Sequence, residues 1–592
     1  MFGSKTKVQS GLKWFEFGRL TSEKLRTPLS IVFAFVATHN HFVLDRGDKV
    51  FNRSAPVIKL PPGATEDDHL ALLGLLNSST ACFWMKQVFH DKGSTVDSQG
   101  ARQATVAFEN FREFTGTGLQ KFPVTADRPV ELARNIDDLA QRLRVVSPAS
   151  LLGGNVPGAN LQESIEVCRR EWNVIRERMI SLQEEIDWGC YRLYGLTDED
   201  LNYREEPPHL RFGWRAFEIA MQPKMASGEL QTTWFERHNA TPLPGPHPEW
   251  PQDYEDLVRR RMEVIATNRN IALIEQPEYK RRWNTEPWDS QIKSALYNWL
   301  LDRLESYFDF DGRMNDAGKP TARLAITLTT VGKLADTARQ DPDFLQVGEL
   351  YRDDPAFDVT RLVAELVEGE SVPLLPILRY KPSGLRKREE WENTWTLQRQ
   401  EDLMSSQQSA LSDQLRDAKD DGEKAKIRTR IEMLTAESRK LTASITVPPK
   451  YTSADFVKSD YWRLRGKLDV PKERWVSFPH CEGEDGTLMV AWAGYDHLQL
   501  ARAISAYYVD VQERLGGRED PRLVPLLACL IELLPWLKQW HNEVDPEFGV
   551  PMGDYFEGFL QEESRNLGLT LDELRAWQPA RKLPVRRGRG SR

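Results

Sequence analysis

The chain has 592 residues, 40% hydrophobic and 28% charged, with 18 Trp and a net charge of -9. It is too long for one core and too apolar for an intrinsically disordered chain, so several folded domains are expected. Five scattered Cys without a CxxC pair argue for a reducing compartment and against a disulfide framework or a structural zinc site. The N-terminus lacks an apolar leader and no run of 18 apolar residues occurs, so a cytoplasmic protein with no membrane partner is expected.

Charge is uneven along the chain. Residues 1–124 hold 15 Lys/Arg against 11 Asp/Glu, a balance of +4 within an overall -9. Phosphate neutralisation acts at contact range, so a local basic face is enough to meet nucleic acid. "LSIVFAFVATHNHFVLDRGDKVFNRSAPVIKLP" reads as strands broken at the turn "DRGD", with His39 and His41 alternating on a strand as hydrogen-bonded pocket residues. "TEDDHLALLGLLNSSTACFWMKQVF" reads as a helix with Thr65 as N-cap. Asn77, Ser78 and Ser79 interrupt it as a capped junction, and a second helical phase follows. "HDKGSTVDSQGARQ" is a loop, and "TVAFENFREF" a returning strand.

Residues 126–240 read as a helical spacer domain around the amphipathic "LQESIEVCRREWNVIRERMISLQEEIDWGCYRLYGL". The Pro-rich stretch 241–252 is a rigid connection. A helical or mixed domain at 253–398 carries the basic knot "YKRRW" at 279–283. Residues 399–445, poor in aromatics, read as an antiparallel helical hairpin that protrudes as an arm. Residues 446–578 form a compact, aromatic-rich domain, with "LVPLLACLIELLPWLKQW" a buried helix kinked or stopped near Pro535. Residues 579–592 are a basic disordered tail with modest non-specific affinity for nucleic acid. The fold class is therefore α+β and multi-domain: a mixed α/β domain over 1–125, a helical middle with its hairpin, and an α+β C-terminal domain.

Catalytic signatures are few. No GxxxxGK[ST], HExxH or GxSxG string occurs, "LLGGNVPGAN" lies between helices as a linker, and His480, Cys481 and Glu482 in "PHCEGEDG" are too close in sequence to converge on one ion.

The strings "WFEFGRL", "LRTPLSIVFAFVATHNHFVLDRGDKVFNRSAPVIKL" and "LLGLLNSSTACFWMKQVFHDKG" resemble the target-recognition region of adenine-specific DNA methyltransferases of the TaqI/Eco57I-like class. They are most similar to the PglX type of bacteriophage-exclusion (BREX) and phage-growth-limitation defence systems. "VPPKYTSADFVKSDYWRLRGKLDVPKERWVSFPHCEGEDGTLMVAWAGYDHLQLARAI" is similar to the C-terminal domain of the same proteins, so the resemblance covers nearly the whole chain. Such enzymes need a Gly-containing S-adenosylmethionine loop and an (N/D/S)PP(Y/F/W) motif. Here "LPPG" at 60–63 and "VPPK" at 447–450 lack the polar first and aromatic last residues. The chain thus resembles the C-terminal half of the enzyme, as a split subunit or a truncated product. It is expected to be inactive alone and to hold no cofactor, S-adenosylmethionine belonging to the complete enzyme.

The resemblance implies double-stranded DNA as partner, met by the basic and amide side chains after the junction: Lys86, His90, Lys92, Gln99, Arg102, Gln103 and Arg112. Arg and Lys read guanine O6/N7 or hold phosphates, and Gln reads adenine N6/N7. A catalytic methyltransferase half or other defence-system proteins are the expected protein partners. The alternative is a protein-interaction scaffold in a phage-defence complex that does not read DNA sequence.

Overall fold

The computed structural model describes residues 28–47, 49–92, 106–153, 160–283, 285–308, 326–466, 472–546 and 548–580. The chain divides into two compact units, 1–295 and 296–592, the boundary falling inside the helix Trp288–Ser306. All five cysteines are unpaired.

The first unit opens with short strands. β1 (Ser30–Phe33), β2 (Val36–Ala37), β3 (Phe42–Asp45) and β4 (Val57–Ile58) follow the apolar alternation of the sequence, and β3 and β4 flank β1, both antiparallel to it. Ile31, Phe33, Phe42 and Leu44 point into the core while Val43 faces out, the period-two pattern of a half-buried strand. His39 and His41 do not lie on a strand. They sit in the bend between β2 and β3 with ring centroids 6.5 Å apart, His39 buried and His41 half-buried, because the sheet ends at Ala37 where β2 turns to another partner. Two helices follow, α1 (Glu66–Leu76) and α2 (Ser79–Val88).

The expected strand over 105–114 is mostly something else. Ala107–Glu109 is a single 3-10 turn that buries Phe108, and only β5 (Arg112–Glu113) is extended, pairing with β2. Burial of one aromatic at Phe108 overrides the β-branched and aromatic propensity of the stretch.

α3 (Val130–Val145) packs along α4 (Leu161–Leu193), a helix of 33 residues. Within the helical spacer domain read from the sequence, α4 is a central, packed element. From Met179 to Tyr191 nearly every side chain is buried, including Gln183, Glu184, Glu185 and Asp187. The cations that make this tolerable arrive from distant segments on and around α5 (Ala216–Ala226), α6 (Gln252–Thr267) and α7 (Arg269–Ile274).

The second unit holds a four-stranded sheet in the order β6 (Thr329–Thr330), β9 (Met489–Trp492), β8 (Trp475–Phe478), β7 (Ser371–Pro373), with only the β7–β8 pair parallel. Between β7 and β8 the chain runs out and back through α8 (Pro382–Asp417) and α9 (Asp421–Ser444), joined by three residues and mostly exposed. α10 (His497–Asp510), α11 (Leu523–Trp540) and α12 (Met552–Asn566) complete the core around Phe478, Leu526, Leu530 and Phe556. α11 is long and apolar enough to cross a membrane by length and composition, but its leucines are the centre of this core. It neither stops nor ends at Pro535. Buried Leu533, Leu534 and Leu537 on either side hold the backbone helical against the lost N–H donor.

Candidate functional site

The Asn77-Ser78-Ser79 junction organises the first unit. Thr65 caps α1 by accepting from the Asp68 amide, and Asp68 accepts in return from the Thr65 amide at 2.8 Å. At the far end the Asn77 side chain accepts from Phe42 N at 3.1 Å and donates to Phe42 O at 3.0 Å, tying the helix end to β3. Ser78 Oγ accepts from Ala81 N at 3.1 Å and so caps α2. Asn40 Nδ2 donates to Leu76 O at 2.7 Å and Ser78 O at 3.0 Å, and Ser79 N and Oγ both donate to Asp187, at 2.8 and 2.6 Å. All three junction residues are thus committed to the fold.

The side chains read as DNA contacts are placed differently from one another. Lys86 is only 4% exposed and its Nζ donates to Glu278 O at 2.5 Å, so it faces the interior and not a groove. Burial holds its ammonium below the usual lysine range. The helical period explains this: Lys86 is four residues beyond buried Cys82, on the inward face of α2. Arg112 is also engaged, donating from Nη1 to Lys86 O at 2.6 Å and Phe89 O at 2.9 Å at the C-terminal end of α2, with Nε 3.0 Å from Asp91. His90 is exposed. Lys92 is half exposed and pairs with Glu113 at 2.6 Å. Lys92 N also donates to Phe111 O at 2.9 Å and Glu113 N to His90 O at 3.1 Å, so His90, Lys92 and Arg112 share one small ladder. Gln99, Arg102 and Gln103 lie outside the described residues.

Beneath the junction lies a polar cluster that the sequence reading missed. Lys280, fully buried, donates to Asp187 at 2.8 Å and Glu275 at 2.9 Å, and Tyr191 donates its hydroxyl to Glu275. Burial opposes the Lys280 charge, but Asp187 and Glu275 outweigh it and hold the ammonium above its usual range. Arg215 pairs with Glu218 at 2.8 Å, and Trp234 Nε1 donates to the same carboxylate at 3.0 Å. Arg261 bonds both oxygens of Glu185 at 2.8 Å. One signal could have found the cluster: three acids within four positions, at 184, 185 and 187, on a helix face whose neighbours are Ile180, Ile186 and Trp188.

Beside it the bend 38–41 meets the basic knot 279–283. Arg282 donates from Nε to His238 Nε2 at 3.1 Å and lies 3.8 Å from Glu109, which also holds Arg237 at 2.8 Å. Arg281 stacks on Trp283 with its guanidinium carbon 4.7 Å from the ring centroid. Burial, with Arg281 and Arg282 nearby, lowers the His41 imidazole to about 4. Burial likewise lowers Arg281 to about 10.

At the proline pairs, Pro61 O accepts from Ala64 N at 3.1 Å within a turn, and Pro449 O accepts from Trp391 Nε1 at 2.8 Å. Neither pair carries the polar first and aromatic last residues of an amino-holding loop. Nor, among the described residues, do three His, Cys, Asp or Glu side chains converge as metal ligands.

Comparison with known proteins places this architecture. A family model described as "Domain of unknown function (DUF7008)" matches residues 179–590. The chain is 44% identical over 584 residues to a protein of Streptomyces coelicolor named "Adenine-specific methyltransferase PglX", covering 98% of this chain and 44% of that protein. The chain thus spans under half the length of this relative. No solved structure matches.

Proposed function

The chain belongs to the family of the domain of unknown function DUF7008, and from that premise we propose that it is the DNA-recognition portion of a PglX-type adenine-specific (N6) DNA methyltransferase, acting in the cytoplasm within a BREX defence system. The observation that carries the reading is the 44% identity along almost all of this chain but under half of a methyltransferase. The two proline pairs, which lack the polar and aromatic flanks of the methyl-transfer motif, fit a portion that selects DNA while S-adenosylmethionine and chemistry come from a partner half. His90 and Lys92, at the exposed edge of the β5 ladder, open the segment that carries Gln99, Arg102 and Gln103. Lys86 and Arg112 support that ladder from behind, a positioning role in place of direct contact.

Fluorescence anisotropy with selected and random duplexes across a salt series tests this. Arg102→Ala should cost about 1–3 kcal/mol on the selected sequence and much less on others, while Lys92→Ala should weaken all duplexes alike. Absence of duplex binding by the chain at low salt, with native-cell pull-down of other defence proteins, would favour a protein-interaction scaffold. The exposed α8–α9 hairpin is the feature that supports that second reading.

A further inference from the structure

Three consecutive cations in the basic knot have three different fates. Lys280 is held by two carboxylates, and Arg282 has His238 and Glu109. Arg281 has neither: among the described residues it donates no hydrogen bond and forms no ion pair, although it is only half-exposed. Burial disfavours its charge and Asp187, the carboxylate that acts on it, offsets this only in part, so an anion from outside the chain would be favoured here. Its position is nonetheless well fixed. Arg281 O accepts from Arg215 Nη1 at 2.9 Å, anchoring the backbone, and the side chain is flattened on Trp283.

The surroundings are equally specific. Among the described residues, Arg281 is the one cation lining a small cavity of about 70 Å³ whose wall is otherwise mostly apolar, with Asn77, Gln183 and Asp137 as its other polar side chains. Asp137, the acid in this lining, is occupied by Arg46 at 2.7 Å and Gln141 at 2.8 Å. His41 stands near enough for Arg281 to depress its protonation. A planar five-donor fork stacked on an indole, and donating to no described acceptor, can take an oxyanion bidentately.

We propose that Arg281, stacked on Trp283 and lining the cavity beside Asn77, is an anion-binding position whose ligand is a backbone phosphate of a DNA strand. The assignment of the anion to DNA rests on the recognition reading above. It places a phosphate anchor next to the helix junction but on a different segment from Arg102 and Lys92. Because a phosphate contact positions without reading bases, its contribution is the same for every sequence.

The test uses the full chain, with Arg281→Gln and Arg281→Lys. Circular dichroism should be unchanged in both and the melting temperature should shift by no more than a few degrees, since Arg281 donates no hydrogen bond to a described residue and its contact is the stack on Trp283. In duplex titrations Arg281→Gln should lower the slope of log affinity against log salt by about one unit, equally for random and selected sequences. Arg281→Lys should keep the slope and lose part of the affinity. If the wild type binds duplex and Arg281→Gln leaves both slope and affinity unchanged, the proposal fails while the recognition reading stands. If the wild type binds no duplex, both fail as statements about DNA. Calorimetry with inorganic phosphate then separates the remainder: binding lost in Arg281→Gln would show an anion site for a free phosphate and overturn the assignment to a strand.

Discussion

His238 shows how one side chain can be locked into a single protonation state. Its Nδ1 lies 2.6 Å from Trp234 O, which fixes the proton there, and its Nε2 accepts from Arg282 Nε at 3.1 Å. A second proton would point at the guanidinium. Burial first, then Arg282 and Arg215, hold the imidazole at about 4, against the Trp234 bond that favours the charged form. His41 is lowered to the same value. Both folded values are depressed, so the unfolded chain takes up protons first as pH falls. The stability from the neutral rings is complete above about 6.5 and lost progressively as pH falls to about 4. Thermal melts between pH 7 and 4.5 should show a falling midpoint, and His238→Gln should make that fall shallower. A slope identical to wild type would mean that the ring is solvated in solution. Lys280 belongs at this scale as well. Lys280→Met leaves Asp187 and Glu275 buried without a cation and should cost about 3–5 kcal/mol, read from urea midpoints. Returning the trio to its original net charge with Glu275→Gln in the same chain should recover part of the loss.

Among elements, the hairpin is the most separable. Along α8 and α9 the buried residues are Gly384, Thr394, Gln398 and Leu434, and attachment is made near the root, by Trp391 Nε1 to Pro449 O and by Arg388 to Glu532. Replacing residues 403–440 with a short Gly/Ser linker should leave the melting temperature within a few degrees. A larger drop would show that the distal half packs on the second unit. The same comparison shows what a sequence makes legible. Thr65 and the Asn77-Ser78-Ser79 break are local signals, carried by side chains that act within one turn of themselves, and the helices formed where they point, while the first helix of the hairpin begins at Pro382, ahead of the 399 read from the sequence. Lys86, Arg112 and the second half of α4 were misplaced because their partners, Glu278, the α2 carbonyls and Lys280, are supplied by other segments. A basic residue on a helix looks the same in sequence whether its charge meets water or a distant carboxylate. The knot "YKRRW" was visible and "HNH" was read on a strand, but nothing in either string says that His41 comes within reach of the charges of Arg281 and Arg282.

For the whole molecule, the family match begins at residue 179, where α4 turns from a solvated to a buried helix, and continues through the second unit to residue 590. Residues 28–92, which hold the junction, precede that stretch and yet complete its polar centre through Ser79. Asp187 sits between two chain segments that reach it from opposite directions: Ser79 lies 108 residues before it and Lys280 lies 93 residues after it. On a ribosome those two meetings happen in order. When α4 has emerged, α2 can already hand its amide to Asp187, but the ammonium that neutralises the carboxylate is still unsynthesised, and closing such long loops is slow by comparison with winding a helix. The carboxylate of Asp187 can therefore meet its buried ammonium only once the knot at 279–283 has joined the fold.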